Sequence, residues 1–379
     1  MFCSMCRRDF APDHRFCPYD GDLLSPPAKE VSGVTPASRP DADRGASSAR
    51  RAAPSSRPPG EPEVVLGSRY RIRGFIGKGG MARVYLAEDV QSGDPVAVKI
   101  LDHAHALSSH ARSRFLREAK AVSRIGHENI VKILDLGLAT DGAPYLVLEF
   151  LDGESLGERL RREPRMPPAL ALPALRQMAA GLAAAHRAGI IHRDVKPDNV
   201  FLLGEPPYAV KLLDFGLAKL DNQTNFTKTG VAVGTLDYMA PEQVVTDRPD
   251  ARTDVYGLGV LMYRMLTGQL PFRAKEDTDL LARHLLLPAP PLSLDVDGID
   301  PRTELVVLTA LRKNPDNRYA SMDDFGEDLE RLVGKRGGPL LAERLRSEPD
   351  VYLPKSFFAK NAALFFYQKL GMNPPDWDD

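Results

Sequence analysis

Along the chain, apolar and polar positions change rhythm in a way that marks out its elements. From Leu66 onward, RYRIRGFIG, ARVYLAED and PVAVKILD are short runs rich in β-branched and aromatic residues, broken by glycine-containing turns. That rhythm predicts antiparallel strands. HARSRFLREAKAVSRI then sets Phe115, Leu116, Ala119, Val122 and Ile125 near helical spacing, which predicts one amphipathic helix. Strand-like runs return at IVKILDLGL and PYLVLEFL, and from Gly153 to about Val333 helical patterns dominate. A β-rich lobe over residues 66–150 followed by a helical lobe over 151–335 predicts a cleft between them, where ligands commonly bind.

The flanks read differently. Residues 25–65 are rich in proline, serine, alanine and arginine and nearly free of large apolar side chains. Such a segment buries too little surface to offset chain entropy and is expected to be a disordered linker. Its arginines, Arg44, Arg50, Arg51 and Arg57, suit an acidic partner or, more simply, a solvated linker. Residues 336–379 form a tail in which FFAKNAALFFYQKLG predicts one apolar helix, docked on the helical lobe or on a partner. No internal repeat is evident.

Composition narrows the function classes. A formal net charge of −1 gives no global basic field, so neither nucleic acid nor an anionic membrane surface is an expected partner. The most apolar stretches fall short of the roughly 18–20 residues that a membrane span requires. MFCSMCRRDF has no apolar core of the secretory type. A soluble, cytoplasmic protein is expected. The three cysteines, Cys3, Cys6 and Cys17, all lie within residues 1–24. Three cannot all pair within one chain, and a cytoplasm keeps them reduced, so metal binding is the more natural use. CSMC and CPYDG are similar to the two knuckles of a zinc ribbon, with Asp20 where a fourth cysteine belongs. Either Asp20 or His14 is a candidate to complete a Zn²⁺ tetrahedron; the alternative is a degenerate knuckle that has lost its metal. A second histidine-rich run, His103, His105 and His110, reads as a solvated connector in preference to a metal site.

The central region carries the chemistry of phosphoryl transfer, which needs a grip on a polyphosphate, a metal to neutralise it and a group to orient the acceptor. In IGKGGMARV, Gly77, Lys78, Gly79 and Gly80 form a turn whose glycines let backbone N–H groups approach phosphates. Lys99 in VAVKI is a cation that needs a partner in a cleft, and Glu118 on the amphipathic helix is the partner expected. HRDVKPDN offers Asp194 to accept or orient a hydroxyl proton, Lys196 to reach the transferring phosphate, and Asn199 as an oxygen ligand for a hard cation. DFG follows, with Asp214 as a second metal ligand and Gly216 to let the backbone turn.

With these residues in order, the chain resembles the eukaryotic-like (Hanks-type) serine/threonine protein kinases, including those of bacteria. The resemblance runs over residues 66–335 through IGKGGMARVYLA, VAVK, the helix glutamate, HRDVKPDN, DFG, GTLDYMAPEQ, DVYGLGV and NPDNRY. Its one departure is Ala82, where G-x-G-x-x-G has a third glycine. The resemblance implies an α+β, bilobal protein kinase fold, preceded here by the zinc-ribbon-like module and the linker, that uses ATP with Mg²⁺ or Mn²⁺ on protein substrates. Lys196 within HRD-x-K-P-x-N implies serine or threonine acceptors. It further implies that Leu148 is the gatekeeper and that Glu149 and Leu151 offer backbone groups to adenine. Ile76, Val84, Ala97 and Phe201 would then sandwich the ring. Asp254 would brace the catalytic loop, Glu242 would pair with Arg318, and Val122, Phe215 and His192 would stack as a spine.

The resemblance also implies a switch. Arg193 adjoins Asp194, and Thr227 and Thr229 fall where bacterial relatives autophosphorylate, so activation in trans by a second copy of the chain is expected. Thr235 is expected at the substrate loop. A scaffold without chemistry and a small-molecule kinase are the rival readings. The first usually lacks Lys99, Asp194 or Asp214; the second generally lacks a segment like that from Gly234 to Glu242.

Overall fold

The protein was analysed as a computed structural model, which describes residues 64–78, 82–101, 109–215, 236–245, 249–334, 336–345, 350, 352 and 357–374. The N-lobe is a six-stranded antiparallel sheet in the order β1-β2-β3-β4-β6-β5. Its strands are β1 (Val65–Leu66), β2 (Tyr70–Lys78), β3 (Ala82–Asp89), β4 (Pro95–Leu101), β5 (Ile133–Leu138) and β6 (Pro144–Glu149). Helix α1 (Ser109–Val122) packs on it. Strand β4 shows why this sheet makes a site. Side chains alternate across a strand, so Val96 and Val98 enter a core with Tyr70, Ala87, Tyr145 and Val147 while Ala97 and Lys99 face the cleft. The register pairs Lys99 with Val84 on one side and Leu146 on the other, and Ala97 with Leu148.

Below it lies the helical lobe. A three-stranded sheet of β7 (Gly153–Ser155), β8 (Val200–Leu203) and β9 (Ala209–Leu212) sits at its top. Helices α2 (Leu156–Arg162), α3 (Pro168–Arg187), α4 (Pro241–Val244), α5 (Arg252–Thr267), α6 (Asp277–Leu286), α7 (Pro301–Ala310) and α8 (Met322–Leu332) make up the rest. Ser155 caps α2 through a reciprocal box with Glu158, and Ser321 and Asp300 cap α8 and α7. Helix α5 is buried almost all round, from Thr253 to Tyr263 and again from Met265 to Thr267, which makes it the pillar of the lobe. Gly259 lets α7 approach, since a Cβ there would lie 2.8 Å from the Ala310 methyl.

Two boundaries differ from those drawn by composition. Val65 already pairs with Arg71, because its backbone extends the edge of the first hairpin. Beyond residue 335, Leu340 and Ala342 are buried in the C-lobe core, held by Asp328, whose carboxylate accepts the Leu341 and Ala342 N–H groups at 2.7 and 2.9 Å. The expected apolar helix is present as α9 (Phe357–Lys369) and docks on α6. Tyr352, Ala363 and Phe366 join Leu280, Leu281 and Leu285 in one cluster, and Lys369 pairs with Asp279 at 3.2 Å. Upstream, the Asp350 carboxylate accepts the Lys313 N–H at 2.6 Å. No described helix is long and apolar enough to cross a membrane.

Removing a buried ring should be felt where removing an exposed one is not. Phe366→Ala is expected to lower unfolding free energy by about 3 kcal/mol, read from the urea midpoint. Phe365→Ala, at a ring 54% exposed, should cost under ~1 kcal/mol. Equal effects would mean that α9 is not docked as described.

Candidate active site

The cleft between the lobes is lined from above by Ile76, Val84, Ala97 and Lys99, at its back by Leu148, and from below by Phe201. Glu149, Phe150 and Leu151 form the strand exit joining the lobes. Gly77 and Lys78 end β2, cross-strand from Val84 and Arg83. Val131, Ile133, Leu146, Phe150 and Leu213 also line the cleft and were missed in the sequence, where strand rhythm does not say which face a residue takes. The Glu149 carboxylate is committed elsewhere: it accepts the Lys132 N–H at 2.8 Å and pairs with Lys211 Nζ at 2.7 Å. Its N–H donates to the Lys132 carbonyl at 3.1 Å, which leaves its backbone carbonyl as what it can offer the cleft.

The catalytic loop is held by one carboxylate. Asp254, in the first turn of α5 and 1% exposed, accepts the His192 N–H through Oδ2 and the Arg193 N–H through Oδ1, both at 2.8 Å. His186 Nε2 lies 2.7 Å from Oδ2. The helix N-terminus favours the negative charge there. These bonds fix an unusual backbone, since Arg193 has φ 60°, a left-handed conformation that side-chain-bearing residues rarely take. From the other side Gln243 Nε2 donates to the Arg193 carbonyl at 3.2 Å. Asp214 has φ 53° as well. Such outliers cost about 1–3 kcal/mol each and persist where the surroundings over-determine them.

The polar groups converge at this bend. Lys196 Nζ lies 3.0 Å from Asp194 Oδ2. Asn199 Nδ2 donates to the Asp194 carbonyl at 2.8 Å and to its Oδ2 at 3.1 Å, which leaves the Asn199 amide oxygen as a group to offer a cation. Across the cleft Lys99 Nζ meets Asp214 Oδ1 at 2.5 Å. Glu118 lies in α1 with its side chain outside the described residues, so Asp214 is the Lys99 partner that the geometry gives. The His192 ring packs on Phe215 at 4.6 Å between centroids; its Nε2–H donates to Leu213 at 2.9 Å and its Nδ1 accepts the Asp194 N–H at 3.3 Å. Val122 shares their core.

Beneath the site, Arg318 and Glu242 form a double-pronged pair, each prong 2.9 Å, with the Arg318 side chain fully buried. Thr253 Oγ1 donates to the same carboxylate at 2.8 Å, and the carbonyls of Arg252, Arg312 and Lys313 take the remaining guanidinium bonds. Other expected residues lie outside the described ones: Gly79, Gly80, Gly216, Thr227, Thr229, Thr235, His103, His105, the His110 side chain, and Cys3, Cys6, His14, Cys17 and Asp20. Among the described residues no group of three or more histidine, cysteine, aspartate or glutamate side chains could hold a metal ion.

Comparison with known proteins gives the same outline. A family model described as "Protein kinase domain" matches residues 70–322. The serine/threonine-protein kinase Pkn1 of Myxococcus xanthus is 42% identical over 297 residues, 74% of this chain and 42% of Pkn1. PknL of Mycobacterium tuberculosis is 40% identical over 71% of this chain and 67% of PknL. The chain thus matches only part of the length of these relatives. The crystal structure of the PknI kinase domain of M. tuberculosis superposes with a TM-score of 0.57 at 26% identity, over 72% of this chain and 98% of that domain.

Glu242→Ala would leave the Arg318 guanidinium buried without its counter-charge, and is expected to lower unfolding free energy by about 3–5 kcal/mol. Asp323→Ala removes the exposed partner of Arg187 and should cost under ~1 kcal/mol. Urea midpoints of the two variants check the contrast, and similar values would contradict the buried pair.

Proposed function

Because the chain belongs to the protein kinase domain family and its curated relatives are serine/threonine-protein kinases, we propose that it transfers the γ-phosphate of ATP to serine or threonine hydroxyls of proteins. The observation that carries this reading is the convergence of Asp194, Lys196 and Asn199 on the braced loop, facing Lys99 and Asp214 below an apolar cleft. The donor set fits a hard divalent cation: the Asp214 carboxylate and the free amide oxygen of Asn199 would hold Mg²⁺, or Mn²⁺. ATP with its metal supplies the phosphoryl group and neutralises part of its charge.

The chain's own residues divide the remaining work. Asp194 accepts or orients the acceptor hydroxyl proton, at a carboxylate oxygen kept in place by Asn199. Lys196, beside the same oxygen, adds positive charge where the transferring group passes. Lys99 grips the α- and β-phosphates, with Glu118 as its counter-charge. Ile76, Val84, Ala97, Leu148 and Phe201 give adenine an apolar slot, and the backbone of Glu149 and Leu151 gives it hydrogen bonds. The retention of Lys99, Asp194, Asn199 and Asp214 favours this over a scaffold, and the Gly234–Glu242 segment favours a protein over a small-molecule acceptor. Arg193 Nε is buried without a hydrogen-bond partner among the described residues. That supports its use as a receiver for phosphothreonine at Thr227 or Thr229, introduced in trans by a second copy.

With labelled ATP and Mg²⁺, wild type should label itself on Thr227 or Thr229, by mass-spectrometric mapping, and Asp194→Asn should fall by at least ~10³-fold. A Thr227→Ala/Thr229→Ala variant with full activity would remove the switch, and label transfer by Asp194→Asn would remove the mechanism.

Residues 1–24 are the proposed zinc-ribbon-like module, supported by the spacing of Cys3, Cys6 and Cys17 with Asp20 or His14 as the fourth ligand. Metal analysis of the purified full chain should find one zinc per chain, lost in Cys3→Ser/Cys6→Ser. Absence of zinc from the wild type would end the assignment.

A further inference from the structure

Most arginines of the helical lobe are committed. Arg159, Arg252, Arg318 and Arg331 each meet a carboxylate at 2.6–2.9 Å. Arg264 and Arg273 are different. Arg264 is half-buried in the last turn of α5, and Arg273 follows the buried Phe272 in the α5–α6 connection. Neither guanidinium makes a hydrogen bond or an ion pair to a described residue.

Their position bears on the acceptor. The 3₁₀ turn Leu236–Tyr238 follows segment 216–235 and packs on both α5 and α6. At Gly257 of α5 a Cβ would lie 3.2 Å from Val195 Cβ and 3.8 Å from the Tyr238 carbonyl. The catalytic loop, one residue from Asp194, and this turn therefore share one face of α5. Burial raises the Tyr238 hydroxyl well above its usual range, and the charges that reach it are Arg264, Asp237 and Asp198, the last next to Asn199. Arg264 follows Gly257 by about two helical turns on the same face of α5, so it stands on the side of the helix that carries the catalytic loop and this turn.

The neighbouring carboxylates do not saturate the pair. Asp198 is engaged by Arg161 at 3.4 Å, and Asp295 accepts from the Tyr263 hydroxyl at 3.1 Å. Asp237 is pushed up by burial and only partly opposed by Arg264 and Arg273, with Asp277 acting against them. Arg273, at the exposed surface, is lowered from its ordinary value by partial desolvation and by repulsion from Arg264, against the opposing pull of Asp295 and Asp237. An incoming anion that bonds these guanidiniums satisfies their donors and relieves their mutual repulsion.

We propose that Arg264, with Arg273 beside it, is a specificity-determining subsite that reads an anionic side chain, carboxylate or phosphorylated, flanking the acceptor serine or threonine. This rests on the protein kinase reading above. The recognising chemistry is the same for both anions, so the test separates them.

The experiment is a positional-scanning peptide library with the full chain, Mg²⁺ and ATP, with Asp, Glu, phosphoserine, Ala or Lys fixed at each position around the acceptor. At one position or more, Asp and Glu, or phosphoserine, should be favoured over Ala by about tenfold, and Lys disfavoured. Whichever anion leads identifies the source. Arg264→Glu should reverse the sign of that preference, measured as a ratio of peptides within the variant, so that a general loss of activity does not mimic it. Should Arg264→Glu be inactive on all peptides, Arg264→Gln and Arg273→Gln carry the test and should each flatten the preference. Transfer by wild type with no anionic preference at any position, or an unchanged preference in the variants, overturns the subsite while leaving the kinase reading intact. Absence of transfer to every peptide overturns the kinase reading itself.

Discussion

The catalytic loop depends on a single buried carboxylate. Asp254 accepts the N–H groups of His192 and Arg193 and meets His186, all within 2.8 Å, from the first turn of a helix buried almost on every side. Charge-assisted bonds of this kind are stronger than neutral ones and offset a left-handed Arg193 that would otherwise relax. The consequence is directional. With the backbone bent at Arg193, Asp194 is turned so that Asn199 and Lys196 can both reach its Oδ2. A loop with these residues but without Asp254 would keep the bonds from Gln243 and Asn199 but lose both charge-assisted bonds to the bent backbone at His192 and Arg193.

Rigidity is distributed unequally between the lobes. The C-lobe fixes its reactive groups through α5, through the Arg318–Glu242 pair that anchors the start of α4, and through Gln243, which ties α4 back to the Arg193 carbonyl. The N-lobe contributes Lys99 from a strand whose opposite face is packed into the sheet core, and its cation crosses to Asp214. The lobes are joined firmly on one side, where Val131 and Asn129 bond the Leu212 backbone at 3.0 and 2.8 Å and Lys211 pairs with Glu149. Across the cleft they meet through an ion pair and an apolar slot that can be remade with ligand. On the far side, α9 and Tyr352 cover α6, and the same cluster includes Leu236 and Met239 of the segment proposed to receive substrate. The tail thus supports the turn Leu236–Tyr238 from behind.

How much of this was legible in the sequence follows the spacing of the residues concerned. HRDVKPDN could be read because Asp194, Lys196 and Asn199 are neighbours in the chain, so local chemistry constrains them jointly. The alternation in PVAVKIL was enough to place Lys99 on a strand, and the structure adds that it faces the cleft. Pairs distant in sequence, such as Glu242 with Arg318, carried no local signal and came only through family resemblance. Leu146 was missed because strand register, not composition, aligns it with the cleft, and Val131 because its place depends on a backbone bond to the distant Leu212 carbonyl at 3.0 Å. The continuation of the lobe past residue 335 was hidden for a related reason: the anchors of that segment are the carboxylates of Asp328 and Asp350, whose bonds go to backbone N–H groups that any sequence would offer.

The fates of two arginines show what such bonding reveals. Arg318 is fully buried and Arg264 half-buried in the same lobe, yet Arg318 commits its donors to one carboxylate and three carbonyls while Arg264 commits none to a described residue. A charge buried as Arg318 is needs such partners, whereas a half-buried one can leave its donors to water. At Arg318 the charge is an internal fastener. At Arg264, on the helix face that carries the Leu236–Tyr238 turn, the same chemistry leaves hydrogen-bonding capacity in place for the proposed substrate anion, which a planar, permanently charged fork suits.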